Sequence, residues 1–112
     1  MGLLAIERFR GDDSPDVFKL WNRKTRLPLP IPGWSFTLTV DPSENPVDAT
    51  NNLFSLTGVI TNEAEGEVSF APSVLQADHL GVYYYDIQAV FPTGEARTIV
   101  KDSYTFVQDI TK

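Results

Sequence analysis

Apolar and polar residues alternate singly along much of this chain, most clearly in Trp34-Ser35-Phe36-Thr37-Leu38-Thr39-Val40. A period of two puts Trp34, Phe36, Leu38 and Val40 on one face and Ser35, Thr37 and Thr39 on the other. That is the pattern of a β-strand with one buried and one wet side. Asp41-Pro42-Ser43 ends the run. The same reasoning predicts strands over Leu3 to Phe9, Val17 to Asn22, Leu53 to Thr61, Glu67 to Phe70, Val82 to Phe91, Ala96 to Lys101 and Tyr104 to Ile110. Phe54, Leu56 and Ile60 share a face, with Gly58 as a bulge between them. Tyr83, Tyr85, Ile87 and Ala89 share another, and Pro92-Thr93-Gly94-Glu95 reads as a hairpin loop. Only Ser73 to Asp78, between Pro72 and Gly81, carries the signals of a short helical turn. Strands without alternating helices exclude a parallel βαβ fold. Seven or eight short strands with regular turns predict an all-β antiparallel sandwich.

One segment breaks the alternation. Arg23-Lys24-Thr25-Arg26-Leu27-Pro28-Leu29-Pro30-Ile31-Pro32-Gly33 carries three alternating prolines, which cannot join a central strand. An extended, polyproline-like arm is expected at about residues 23–33. Its basic start is the only concentrated positive charge in the chain. Two arrangements are open. The prolines can present Leu27, Leu29 and Ile31 to a partner at low entropic cost, or fold them onto the sandwich. Trp21, just before the arm, is of the residue type that anchors interfaces. The candidate partner surface is therefore Trp21, Arg23, Lys24, Arg26, Leu29 and Ile31.

Composition narrows the class. The 112 residues suit a single domain across the whole chain, and 42% hydrophobic residues suffice for a core. Cysteine is absent, which removes disulfides, thiolate metal sites and cysteine nucleophiles. A formal net charge of −6 disfavours nucleic acid as a partner. No apolar run approaches membrane-spanning length, and the opening Met1 to Ile6 meets Glu7 and Arg8 too soon for a signal peptide.

Candidate chemistry is sparse. The single histidine, His79, sits in a turn signal, and nearby Ser73 lacks a nucleophile-elbow motif. Glu63, Glu65 and Glu67 cluster around Gly66 at a convex hairpin tip, unlike the facing carboxylates of a glycosidase cleft. Asp12, Asp13 and Asp16 share one loop, and Asp41, Glu44 and Asp48 another. Neither set has the ordered spacing of a calcium loop, and loop aspartates commonly form turns. No catalytic residue, cofactor or metal is expected.

Gly81-Val82-Tyr83-Tyr84-Tyr85 has the spacing of an immunoglobulin tyrosine corner, with Tyr85 where a cysteine would stand and Trp34 as the buried tryptophan. This makes the expected sandwich immunoglobulin-like. With Arg10-Gly11-Asp12-Asp13 before Val17-Phe18-Lys19-Leu20, Phe36 to Asp41, Gly81 to Gln88, and Arg97-Thr98-Ile99 through Asp109-Ile110-Thr111, the chain resembles the immunoglobulin-like modules of tailed-phage structural proteins. The N-terminal module of baseplate upper proteins is similar over nearly the whole length. The resemblance implies a non-enzymatic virion protein of a tail or baseplate, docked on other virion proteins in multiple copies after synthesis in the host cytoplasm. It is also compatible with homo-oligomers. The arm from Arg23 to Gly33 departs from that pattern. Two other roles fit the same residues: a carbohydrate-binding sandwich using Trp21 or Tyr84 as a sugar platform, and a capsid decoration protein.

Overall fold

A computed structural model describes residues 6–22, 24–44 and 52–108. Its strands are β1 (Ile6–Phe9), β2 (Asp16–Lys19), β3 (Ser35–Asp41), β4 (Phe54–Thr57), β5 (Val59–Asn62), β6 (Glu67–Phe70), β7 (Gly81–Val90) and β8 (Ala96–Val107). They form a five-stranded sheet ordered β1-β8-β7-β3-β4 and a three-stranded sheet ordered β2-β6-β5. Lettered A, B, C, C′, D, E, F and G in chain order, these are the sheets A-G-F-C-C′ and B-E-D. This is an immunoglobulin-like sandwich with its first strand moved onto the G strand. That first pairing, Ile6 with Tyr104 through Phe9 with Val107, is parallel, so the expected all-antiparallel arrangement fails at this one edge.

The period-two reading of β3 and β7 places their inner faces correctly. Phe36, Leu38, Val40, Tyr85, Ile87 and Ala89 are buried, and Val68 and Phe70 meet them from the smaller sheet. Phe18 of β2 joins the sheets, its ring centroid 5.8 Å from Phe70 and 6.4 Å from Tyr85. Trp34 and Tyr83, expected in the same layer, are only half-buried. Trp34 packs on Phe91 at one end of the sandwich, at 4.6 Å, rather than at its centre. The ring that fills the core beside Tyr85 is Tyr104, 5.9 Å away.

Three boundaries differ from the sequence reading, each for a physical reason. Leu53 to Thr61 is two strands in different sheets, because Gly58 carries the chain across the core. A Cβ there would sit 2.8 Å from Val68 Cγ2 and 2.9 Å from Phe70 Cε1. Ala96 to Val107 is one strand, since Lys101-Asp102-Ser103 lies along β7, where pairing outweighs weak intrinsic strand preference. Ser73 to Asp78 is a single hydrogen-bonded turn, not a helix: the Ala77 N–H donates to the Ser73 carbonyl. Ser73 and Gln76 cap each other reciprocally, as in a capping box.

Candidate functional site

Residues 20–22 and 24–33 return on themselves instead of extending as an arm. The Asn22 N–H donates to the Leu27 carbonyl, the Leu29 N–H to the Leu20 carbonyl and the Ile31 N–H to the Glu63 carbonyl. The Asn22 side chain builds the turn, with Oδ1 accepting from the Lys24 and Thr25 N–H groups. Arg26 closes it at φ 59°, a left-handed conformation that costs a side-chain-bearing residue about 1 kcal/mol. The tip of the β5–β6 hairpin docks beneath. Gly66, at φ 68°, donates to the Glu63 carbonyl and accepts from the Leu20 N–H. A side chain there would collide with the Leu29 and Leu20 carbonyls.

This folding divides the six candidate residues. Trp21 stays 55% exposed, with Lys24 and Arg26 exposed in the turn that follows it. Leu29 is half-buried. Ile31 is fully buried in the core, so it is removed from the partner surface: its N–H bonds the Glu63 carbonyl and its side chain turns inward. Arg23 lies outside the described residues. Leu27, 62% exposed, takes the apolar role that the alternation had spread over three residues. Trp21 and Leu29 line a groove of about 210 Å³ between the sheets, with Phe18, Leu20, Ile99 and Val100. It runs beside the part of β8 that precedes Tyr104, the first residue β1 pairs with among those described. Among the described residues, the remainder of β8 has no strand on that side. A bulge at Ile99 interrupts its ladder, which blunts the edge against strand addition.

The opposite end carries a second apolar cluster that the alternation did not single out. Phe9, Leu75, Leu80 and Val82 are exposed there, Leu75 by 82%. Their polar neighbours hid them, because a strand residue on the outer face and a turn residue look solvated in a one-dimensional pattern.

Arg8 is a heavily bonded buried charge, and sequence reasoning missed it. Its guanidinium donates to the Tyr104 hydroxyl at 2.8 Å, the Asp12 carbonyl at 2.6 Å, the Ser14 carbonyl at 3.0 Å and Asp16 Oδ2 at 2.6 Å. Burial pulls its pKa down, but Asp16 and Tyr104 overcome this and raise it. Burial also pushes the Tyr104 hydroxyl up, with the Asp16 charge adding to the effect. The network ties β1 in one sheet to β2 in the other. It also occupies the loop aspartates considered for calcium: Asp16 pairs with Arg8, and Asp12 Oδ1 accepts from the Ser14 N–H and hydroxyl. Asp48 lies outside the described residues. Among those described, no three His, Cys, Asp or Glu side chains are grouped to hold a metal ion. His79 packs its ring on Phe106 at 5.8 Å and Tyr83 at 6.1 Å, and the Ser73 hydroxyl is engaged with Gln76.

The outer face of the five-stranded sheet holds a cleft of about 290 Å³. Thr37, Thr39 and Asp41 of β3 face Gln88, Asp86 and Tyr84 of β7 in register. Asp41 is 4% exposed. Its Oδ1 accepts from the Ser43 N–H at 2.8 Å, while Oδ2 has no hydrogen-bond partner among the described residues. Burial raises the Asp86 pKa, against the opposing pull of Lys101, its cross-strand neighbour. Compared with known proteins, the chain matches no family model and no curated relative.

Proposed function

We propose that this chain is a non-enzymatic structural protein of a tailed-phage virion, a tail or baseplate component that links neighbouring subunits. The observation that supports the linking role is that exposed apolar side chains occur at both ends of a body 45 × 33 × 24 Å in extent, with Val17 and Val59 also exposed on the smaller sheet between them. Trp21 and Leu27 mark one end, and Leu75, Leu80 and Val82 the other. A chain with adhesive surfaces at both ends joins two neighbours or stacks repeatedly, including with copies of itself. The virion setting rests on the resemblance carried by Arg10 to Asp13, Phe36 to Asp41 and Gly81 to Gln88.

The Trp21 end favours one kind of partner. Lys24 and Arg26 flank an apolar centre on an otherwise acidic chain. Their complement is a subunit surface with an apolar projection ringed by carboxylates. The blunted edge of β8 makes side-chain docking, rather than strand addition, the mode of contact. A charge-reversed Lys24→Glu/Arg26→Glu protein with Trp21→Ala should fold normally and lose about tenfold or more of its incorporation into particles. Co-sedimentation with purified tails, heads and intact virions measures this. Travel with heads alone would move the protein to a capsid decoration role. A chain that stays monomeric and unbound in infected-cell lysate would overturn the assembly reading.

A further inference from the structure

We infer that the cleft on the outer face of the five-stranded sheet is a carbohydrate subsite, in which the free oxygen of Asp41 accepts a hydrogen bond from a sugar hydroxyl. The inference stands apart from subunit docking. It concerns a different face from the one bearing Trp21, and it survives if the virion reading fails.

A buried carboxylate oxygen without a donor is unfavourable, and natural structures keep few of them. Asp41 Oδ2 is such an atom. Its strand position gives it the same outward parity as the exposed Thr37 and the half-buried Thr39, and it lines the cleft they share. The Ser43 N–H fixes the other oxygen at 2.8 Å, so the carboxylate is held in place while one acceptor remains unused. A ligand donor completes it.

The walls select the donor's chemistry. Thr37, Thr39 and Gln88 both donate and accept, which matches a ligand that does the same at several adjacent positions. Tyr84 lies directly across from Asp41 and contributes an aromatic ring to the wall. Asp86 supplies a second carboxylate, with Lys101 opposite it moderating the local negative charge. A metal ion is a poor fit, because no trio of ligating side chains is assembled there among the described residues. A polyhydroxylated ring offers vicinal hydroxyls for carboxylate and threonine together, and a face for the tyrosine. A volume of about 290 Å³ suits one sugar ring and not a long apolar ligand.

The test uses the isotopically labelled full chain, titrated separately with glucose, galactose, N-acetylglucosamine and a short arginine-rich peptide. Amide shifts are followed by nuclear magnetic resonance. At least one sugar should shift amides of residues 37–44 and 84–88 saturably, and leave those of residues 20–29 unmoved. Asp41→Asn and Tyr84→Ala should each weaken binding by about tenfold or more, whereas Trp21→Ala leaves it unchanged. A well-dispersed spectrum of each variant separates lost binding from lost fold. If Asp41→Asn does not fold, Tyr84→Ala alone decides. Absence of saturable shifts with every sugar, preference for the peptide, or unaltered affinity in the folded variants would overturn the inference.

Discussion

Arg8 and Asp41 are buried to almost the same degree, 5% and 4% exposed, yet their surroundings are opposite. Arg8 is surrounded by acceptors: a hydroxyl, two backbone carbonyls and a carboxylate. Among the described residues, Asp41 has one oxygen satisfied and one without a donor. A satisfied buried charge is costly to disturb and fixes geometry, here the relative placement of the two sheets. An incompletely satisfied one lowers stability and leaves an acceptor ready for a ligand. Burial alone therefore does not distinguish a structural charge from a binding one; the count of available partners does.

The comparison predicts stability changes of opposite sign. Arg8→Ala leaves the Asp12 and Ser14 carbonyls and the Tyr104 oxygen without the guanidinium donor and Asp16 with only the Tyr104 hydroxyl, and should cost about 3–5 kcal/mol in chemical denaturation. A loss below about 1 kcal/mol would show that the network is not what joins β1 to β2. Tyr104→Phe removes only the hydroxyl that bridges Arg8 and Asp16. A smaller loss, about 1–2 kcal/mol, is expected from the same measurement. Asp41→Asn should move the other way, raising stability by up to about 1 kcal/mol, because a neutral amide is cheaper to bury than a carboxylate lacking a donor. A marked loss instead would mean that Asp41 stabilises the fold and is not held in reserve. Arg26→Gly relieves a left-handed conformation and should change stability least, by up to about 1 kcal/mol in the favourable direction. It should still weaken particle incorporation.

pH sharpens the same contrast. Burial raises the hydroxyl pKa values of Tyr85 and Tyr104. The unfolded chain ionises its tyrosines near pH 10, while the folded chain resists. The stability contributed by this difference is complete below about pH 10 and is lost as pH rises beyond it. Absorbance of tyrosinate should show these two side chains ionising only as the fold opens. If both titrate in the folded protein, the Arg8–Tyr104–Asp16 network is open to solvent.

The inner face of the sandwich was legible because burial on one side of a strand enforces alternation, as Phe36, Leu38, Tyr85 and Ile87 show. The hydrophobic arm was legible as a departure from alternation, but not its course. Three prolines exclude a central strand, and they do not say whether Asn22 will close a turn and send Ile31 into the core. The role of neither key charge was legible. Arg8 looks like a solvated residue of an edge strand, and Asp41 like an ordinary strand terminator. Gly58 reads equally well as a bulge within one strand or a crossing between two.

The sequence by itself determined the class of fold, most inward side chains of β3 and β7 and the hairpin loop at Pro92 to Glu95, since these follow from local geometry and the period of two. Tertiary structure alone decided that Gly58 changes sheets, that Arg8 and Asp16 meet across them, and that Asp41 is buried with an oxygen unused. Each of these depends on residues brought together from distant positions in the chain, and whether a polar group finds its partner is a property of that three-dimensional neighbourhood.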